Sequence, residues 1–256
     1  MKYIKTPPIR ALRSSAMSIL SNLFADLRAL FFPPLCPVCG QVKGEGGGSI
    51  CTHCRTEVPL TGFWCELDNP LSQRLWGMIP VVRASAFIYY VRGSGWRRLI
   101  HSFKYRGAWR LAREMGCWYG SYLKDSEQYE DIDLIVPIPL HLFRLLHRGY
   151  NQSDYIAQGI ASQLGVRVET HAVVRHRNNP SQAHSRRSDR WNNVNNLFAV
   201  RKPEHLAGKH ILLVDDVCTT SATLVSCAEE ILRAVPDCRI SVAVLAVSQR
   251  ELGIDR

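Results

Sequence analysis

The chain has 256 residues, 46% of them hydrophobic, and a formal net charge of +10. That length holds one large core, or one core with a small appended module, and the ordinary apolar content excludes a disordered chain. No stretch approaches a membrane span, so the basic excess points to an anionic substrate or a polyanionic partner.

Residues 1–35 open on a basic tail with Lys2, Lys5, Arg10 and Arg13. Met17, Leu20, Phe24, Leu27 and Phe31 then recur three and four apart, the pattern of an amphipathic helix that Pro33-Pro34 ends. Asp26 and Arg28 interrupt the stretch, so it does not read as a signal peptide. The helix packs on the rest of the chain or lies on a membrane surface; the low net positive charge of its polar face favours packing. Nine cysteines with no leader imply a cytoplasmic, reducing location, where thiols serve metal or packing rather than disulfides.

Cys36-Pro-Val-Cys39 and Cys51-Thr-His-Cys54 flank a glycine-rich spacer. Two C-x-x-C knuckles at this separation supply four thiolates for a tetrahedral, structural zinc with no open position. His53 and Cys65 are spare candidates, His53 being inside a knuckle and expected to point outward. Residues 36–80 are therefore expected to form a zinc ribbon and a linker, the latter marked by Pro59, Gly62, Pro70, Gly77 and Pro80.

From residue 81 the pattern changes to strands alternating with helices. Ala84–Val91 reads as a strand, and Trp96, Leu99, Ile100 and Phe103 as one buried face of a helix. Arg97, Arg98, His101 and Lys104 lie off that face. They form a solvated basic surface, or a single-stranded nucleic-acid surface with Tyr105 and Trp109 as stacking platforms. Leu111, Met115, Trp118 and Tyr122 stripe a second helix. Ile132–Leu140 is a strand ending in a proline-rich turn, and Ile156, Ile160 and Leu164 stripe the helix after it. Arg148-Gly149 beside Asn151 falls where a parallel sheet collects its ligands and where a helix begins. Val166–Val174 is the next strand region. Arg175 to Asn196 is almost devoid of apolar residues and rich in Arg and Asn, as expected of an anion-closing loop. The last strands are Leu197–Val200, the run beginning at His210, and Ile240–Val247.

The stretch His210–Thr223 carries the densest chemistry. A continuous apolar strand ends in Asp215-Asp216, followed by Cys218-Thr219-Thr220-Ser221-Ala222-Thr223 and a helix striped by Leu224, Ala228, Ile231 and Val235. Backbone N–H groups at a helix start bind an anion, small residues admit it, and hydroxyls add donors. Paired carboxylates suit the diol of a ribose, directly or through magnesium. A simple helix cap would need only one acceptor.

This string resembles the phosphoribosyl-diphosphate (PRPP) motif of type I phosphoribosyltransferases, with Ser221 standing where that motif commonly has Gly. Together with Phe103–Gly107, Val136–Pro139, Arg148–Gln152, Gln182, Arg190 and Asn193-Val194, in this order, the chain is similar to the ComF family. The resemblance implies an α/β fold, a mostly parallel sheet of phosphoribosyltransferase type over residues 81–256, preceded by a zinc ribbon. It implies PRPP with magnesium at Asp215, Asp216, Thr219, Thr220, Ser221, Ala222 and Thr223, with Arg148 and Asn151 in support. It also implies a flexible loop carrying Arg175, Arg177, Gln182, Arg190 and Asn193, with Arg190 joining Asp215 and Asp216 in catalysis. A link to DNA uptake and to competence proteins is implied as well, and no acceptor substrate.

Overall fold

The computed structural model describes residues 33–43, 48–105, 107–176 and 197–254. The chain divides into two compact units, Met1–Thr56 and Glu57–Arg256. The amphipathic stretch 17–31 and the loop residues 177–196 lie outside the described residues.

In the first unit a turn, closed by the Gly40 N–H donating to the Cys36 carbonyl at 2.8 Å, leads to an antiparallel bridge between Leu35 and Val42. A single helical turn, α1 (Thr52–Thr56), begins directly after Cys51 and carries Cys54. Among the described residues of this unit, Cys36, Val38, Ile50 and Cys54 are buried.

The second unit is built on a five-stranded parallel sheet of order β1-β7-β6-β2-β3. The strands are β1 (Val81–Tyr89), β2 (Leu134–Pro137), β3 (Arg167–Val168), β6 (His210–Cys218) and β7 (Arg239–Val247). A separate antiparallel pair joins β4 (Val173–Arg175) to β5 (Phe198–Val200). β6 lies between β2 and β7 and is apolar from Ile211 to Val214, as expected of a strand covered on both faces. The helices are α2 (Pro70–Trp76), α3 (Gly95–Ser102), α4 (Trp109–Asp125), α5 (Leu142–Arg148), α6 (Gln152–Leu164) and α7 (Ala222–Ala234).

Period-two alternation divides β1 between two cores. Ala84 and Ala86 pack with Leu71 and Leu75 of α2. Phe87 stacks on Tyr119 of α4 at 5.1 Å and meets Trp118 edge-on at 5.2 Å. Trp96, Leu99, Ile100 and Phe103, the expected apolar face of α3, are all buried.

Residues 60–80, read from their prolines and glycines as a linker, are packed in the second unit. Pro59 to Thr61 runs along β1, with a bridge from Leu60 to Ile88 and the Tyr89 N–H donating to the Pro59 carbonyl at 2.8 Å. Pro70 occupies the first turn of α2, where its missing N–H costs nothing. Asn69 caps that helix, accepting from the N–H groups of Leu71 and Ser72 and donating to the Ala84 carbonyl at 2.8 Å.

At the N-terminal end of β6, His210 is fully buried between Ser241, 2.9 Å from its Nε2, and Asp131, 3.0 Å from its Nδ1. Ser241 is itself fully buried, so this Ser–His–Asp alignment has no access to a substrate and fixes the strand.

Candidate functional site

The C-terminal end of β6 carries Asp215 and Asp216, whose side chains turn to different partners. Asp215 Oδ1 accepts from the Ser153 hydroxyl at 3.0 Å and from the Asp216 N–H at 2.8 Å. Asp216 Oδ2 accepts from Gln152 Nε2 at 3.1 Å and pairs with Lys104 Nζ at 3.3 Å, while Oδ1 accepts from the Val217 N–H at 2.8 Å. Asp216 is buried and Asp215 half-buried. Burial, and then the Asp216 carboxylate beside it, pushes the Asp215 carboxyl above its ordinary range. The Asp216 N–H and the Ser153 hydroxyl work in the opposite sense.

Gln152 and Ser153 come from the first turn of α6, so the positive end of that helix faces the carboxylate pair. Gln152 also accepts from Arg148 at 3.2 Å, and the chain of polar contacts runs Arg148–Gln152–Asp216–Lys104. α6 is brought up to α4 by a backbone-to-backbone approach. A Cβ on Gly159 would stand 2.3 Å from the Arg113 carbonyl oxygen, and one on Gly116 would stand 2.3 Å from that of Ile156.

After β6, Thr219 and Thr220 are exposed and Ser221 is buried. Ser221 has φ 56°, the left-handed region that favours Gly. Its hydroxyl turns inward, accepting from Arg74 Nε at 3.1 Å and lying 3.4 Å from Cys218 Sγ. Ser221 stands at the N-cap of α7 without capping it. The first N–H groups of an α-helix have no intrahelical acceptor, so here they remain donors for an anion approaching past Ala222 and Thr223.

Several expected site residues lie elsewhere or serve other ends. Asn151 caps α6: its Oδ1 accepts from the Ser153 N–H, and its Nδ2 donates to the Ile138 carbonyl and to Asp154. Its polar atoms are thus engaged within the protein, and its part is to hold the helix that carries Gln152 and Ser153. Arg175, expected at the start of a loop, is the last residue of β4, with its guanidinium over the Phe198 ring at 5.4 Å. Pairing with Phe198 across the β4–β5 ladder extends the strand through it. Arg177, Gln182, Arg190 and Asn193 are outside the described residues. Lys104, Gln152 and Ser153 carry no sequence signal of their own, although the first two stand inside the motifs quoted above.

In the first unit the sulfurs of Cys36, Cys39, Cys51 and Cys54 all lie within 4.8 Å of one another. Cys39 and Cys51 Sγ are 3.8 Å apart, and tetrahedral zinc with Zn–S near 2.3 Å sets sulfurs about 3.8 Å apart. Burial resists ionisation of the Cys36 thiol, but the N–H groups of Cys51, Cys39 and Val38 outweigh it and hold the thiol below its ordinary range. The donor set fits a structural zinc. His53 is exposed and no member of the cluster.

The phosphoribosyl transferase domain family model matches residues 152–255, and the double zinc ribbon domain model residues 27–68. Competence protein F of Haemophilus influenzae is 29% identical over 197 residues, covering 74% of this chain and 80% of the relative. Competence protein ComFC of Bacillus subtilis is 26% identical over 191 residues, covering 74% and 68%. DNA utilization protein YhgH of Salmonella typhi is 37% identical over 101 residues, which is 40% of this chain and 44% of that protein. A four-cysteine module, a parallel sheet, and an acidic pair opening onto α7 occur here in the order of those two family models. The chain carries a phosphoribosyl transferase domain and an N-terminal double zinc ribbon domain, and over about three quarters of its length it is similar to competence protein F and competence protein ComFC.

Proposed function

We propose that this chain binds phosphoribosyl diphosphate with magnesium at the end of β6 and acts in the handling of DNA during uptake. The observation that carries this reading is the pairing of Asp215 and Asp216 with a short Thr219–Ser221 turn into a helix that Ser221 does not cap. The helix start takes the 5′-phosphate through Ser221, Ala222 and Thr223 N–H groups, with the Thr219 and Thr220 hydroxyls beside them. The carboxylate pair takes the ribose diol and would hold the magnesium, a hard cation that would offset charge on the pyrophosphate. Lys104 and Arg148, the two ends of the polar chain that passes through Gln152 and Asp216, would offset charge on the leaving group. If the site turns over, an acceptor forms a bond to ribose C1 while the C1–oxygen bond breaks and pyrophosphate departs with the electron pair. The protein's contribution is then positioning and electrostatic. Zinc serves as scaffold. The thiol-rich sequence fits a cytoplasmic location.

A second reading is a binding module for single-stranded DNA, a partner that need not use the acidic pair. Exposed Tyr105 stands against His101 at 5.1 Å, next to Lys104, and Arg97 lies over the Tyr90 ring at 5.7 Å. Trp109 is half-buried, engaged with Tyr155 at 5.2 Å and with the Arg110 guanidinium, so Tyr105 is the better platform. Calorimetric titration of one preparation with PRPP–magnesium and with a single-stranded oligonucleotide separates the two. Saturable heat with PRPP–magnesium supports the first reading; heat with the oligonucleotide alone supports the second.

A further inference from the structure

We infer that Arg74 is a positioning residue of the phosphate turn, holding Ser221 in a backbone conformation that a serine otherwise disfavours; this rests on the reading of Thr219–Thr223 as a phosphate site. Among the described residues only Glu127 and Ser221 are non-glycine residues with positive φ. Ser221 is also the buried one, 4% exposed, so its side chain cannot relieve the conformation by turning to water. Arg74 Nε donates to the Ser221 hydroxyl at 3.1 Å across 147 positions of sequence. The donor comes from a fixed support. α2 is capped by Asn69 and anchored by Leu71 and Leu75, both fully buried, and Asn69 is tied to β1 through the Ala84 carbonyl.

The contact has two effects. It supplies a charge-assisted acceptor interaction for a buried hydroxyl. It also turns that hydroxyl away from the α7 amides, which a serine at an N-cap would normally occupy, and so leaves those amides to an incoming phosphate. A glycine at 221 would need neither service. Arg74 and Ser221 therefore form one device that lies partly outside the matched residues 152–255, and the importance of Arg74 depends on whether residue 221 has a side chain.

That dependence is testable with four full-length chains: the parent, Arg74→Ala, Ser221→Gly and the double variant. The ligand is ribose 5-phosphate, followed by calorimetry, with a melting curve for each chain. Arg74→Ala is expected to weaken binding about tenfold in the Ser221 background and less than about twofold in the Ser221→Gly background, one hydrogen bond's worth of coupling. Arg74→Gln, which keeps a donor without the charge, is expected to restore part of the loss. An equal loss in both backgrounds would mean that Arg74 acts on the anion directly and overturns the positioning role. No loss in either background overturns it too. A parent chain that binds no ribose 5-phosphate or PRPP counts against the proposed function. In that case the melting curves still report the pair. A larger gain from Ser221→Gly in the Arg74→Ala background than in the parent upholds the support of Ser221, and an equal gain overturns it.

Discussion

Substituting Gly159 by Ala probes how the fold delivers two side chains to the acidic pair. The added Cβ would lie 2.3 Å from the Arg113 carbonyl oxygen, 2.5 Å from the Cys117 nitrogen and 2.7 Å from the Gly116 carbonyl carbon. All three are backbone atoms of α4, so no rotamer change relieves the overlap. Restoring an ordinary contact of 3.4 Å from 2.3 Å requires α4 and α6 to part by about 1 Å. Overpacking of that kind costs up to about 3 kcal/mol, and replacing a helical glycine by Ala returns about 1 kcal/mol. The net loss is about 2 kcal/mol, or about 4–8 °C in melting temperature for a unit of this size. Because Gln152 and Ser153 begin the displaced helix, affinity for PRPP–magnesium should fall together with stability. Melting curves and calorimetry on the same sample read both. Gly77→Ala is the control, since a Cβ there meets nothing within 4 Å. A Gly159→Ala chain that melts at or above the parent would refute the argument.

Three further outcomes are expected. Cys51→Ser should lose the zinc bound by the parent, as measured by elemental analysis; a chain that keeps one zinc per molecule contradicts the four-sulfur site. The second concerns His210, whose pKa is lowered by burial even though Asp131 opposes it. The unfolded chain then binds the extra proton first, so stability should fall as pH drops through the ordinary histidine range near 6.5. His210→Gln should flatten that fall in buried-tryptophan fluorescence, and an unchanged slope contradicts it. The third concerns Asp215, whose raised pKa works in the other direction: its destabilising charge appears as pH rises above the ordinary carboxyl value. Asp215→Asn should therefore melt higher than the parent at neutral pH, with the gain shrinking toward pH 4. A gain that does not change with pH contradicts that cause.

Legibility in the sequence followed how local each signal is. β6 and its acidic end could be read because an apolar run, two carboxylates and a small polar turn are contiguous, and the cysteine knuckles because their spacing is the signal. α2 was hidden by its own punctuation: Asn69-Pro70 and Gly77 look like a linker, yet they are a cap, a first-turn proline and a helix end. Ser221 could be flagged as a departure from glycine. That Arg74 answers it could not, because the partner lies 147 positions away. The same holds for Lys104, Gln152 and Ser153, which reach the acidic pair only through tertiary packing. Asn151 shows a related limit, its side chain being bonded to the Ser153 N–H, the Ile138 carbonyl and Asp154. A polar residue at a helix start serves an anion or the helix itself, and only its hydrogen-bond partners decide between them.

The most direct test of the account is PRPP–magnesium titration of Asp215→Asn/Asp216→Asn beside the parent, with zinc content and melting temperature measured on the same samples. The account predicts saturable binding by the parent and at least about a hundredfold loss in the double variant, as expected for removing two charged ligands. Zinc should be unchanged and melting level or higher, since like-charge repulsion at the end of β6 is relieved. A double variant that binds PRPP–magnesium as tightly as the parent would contradict the account.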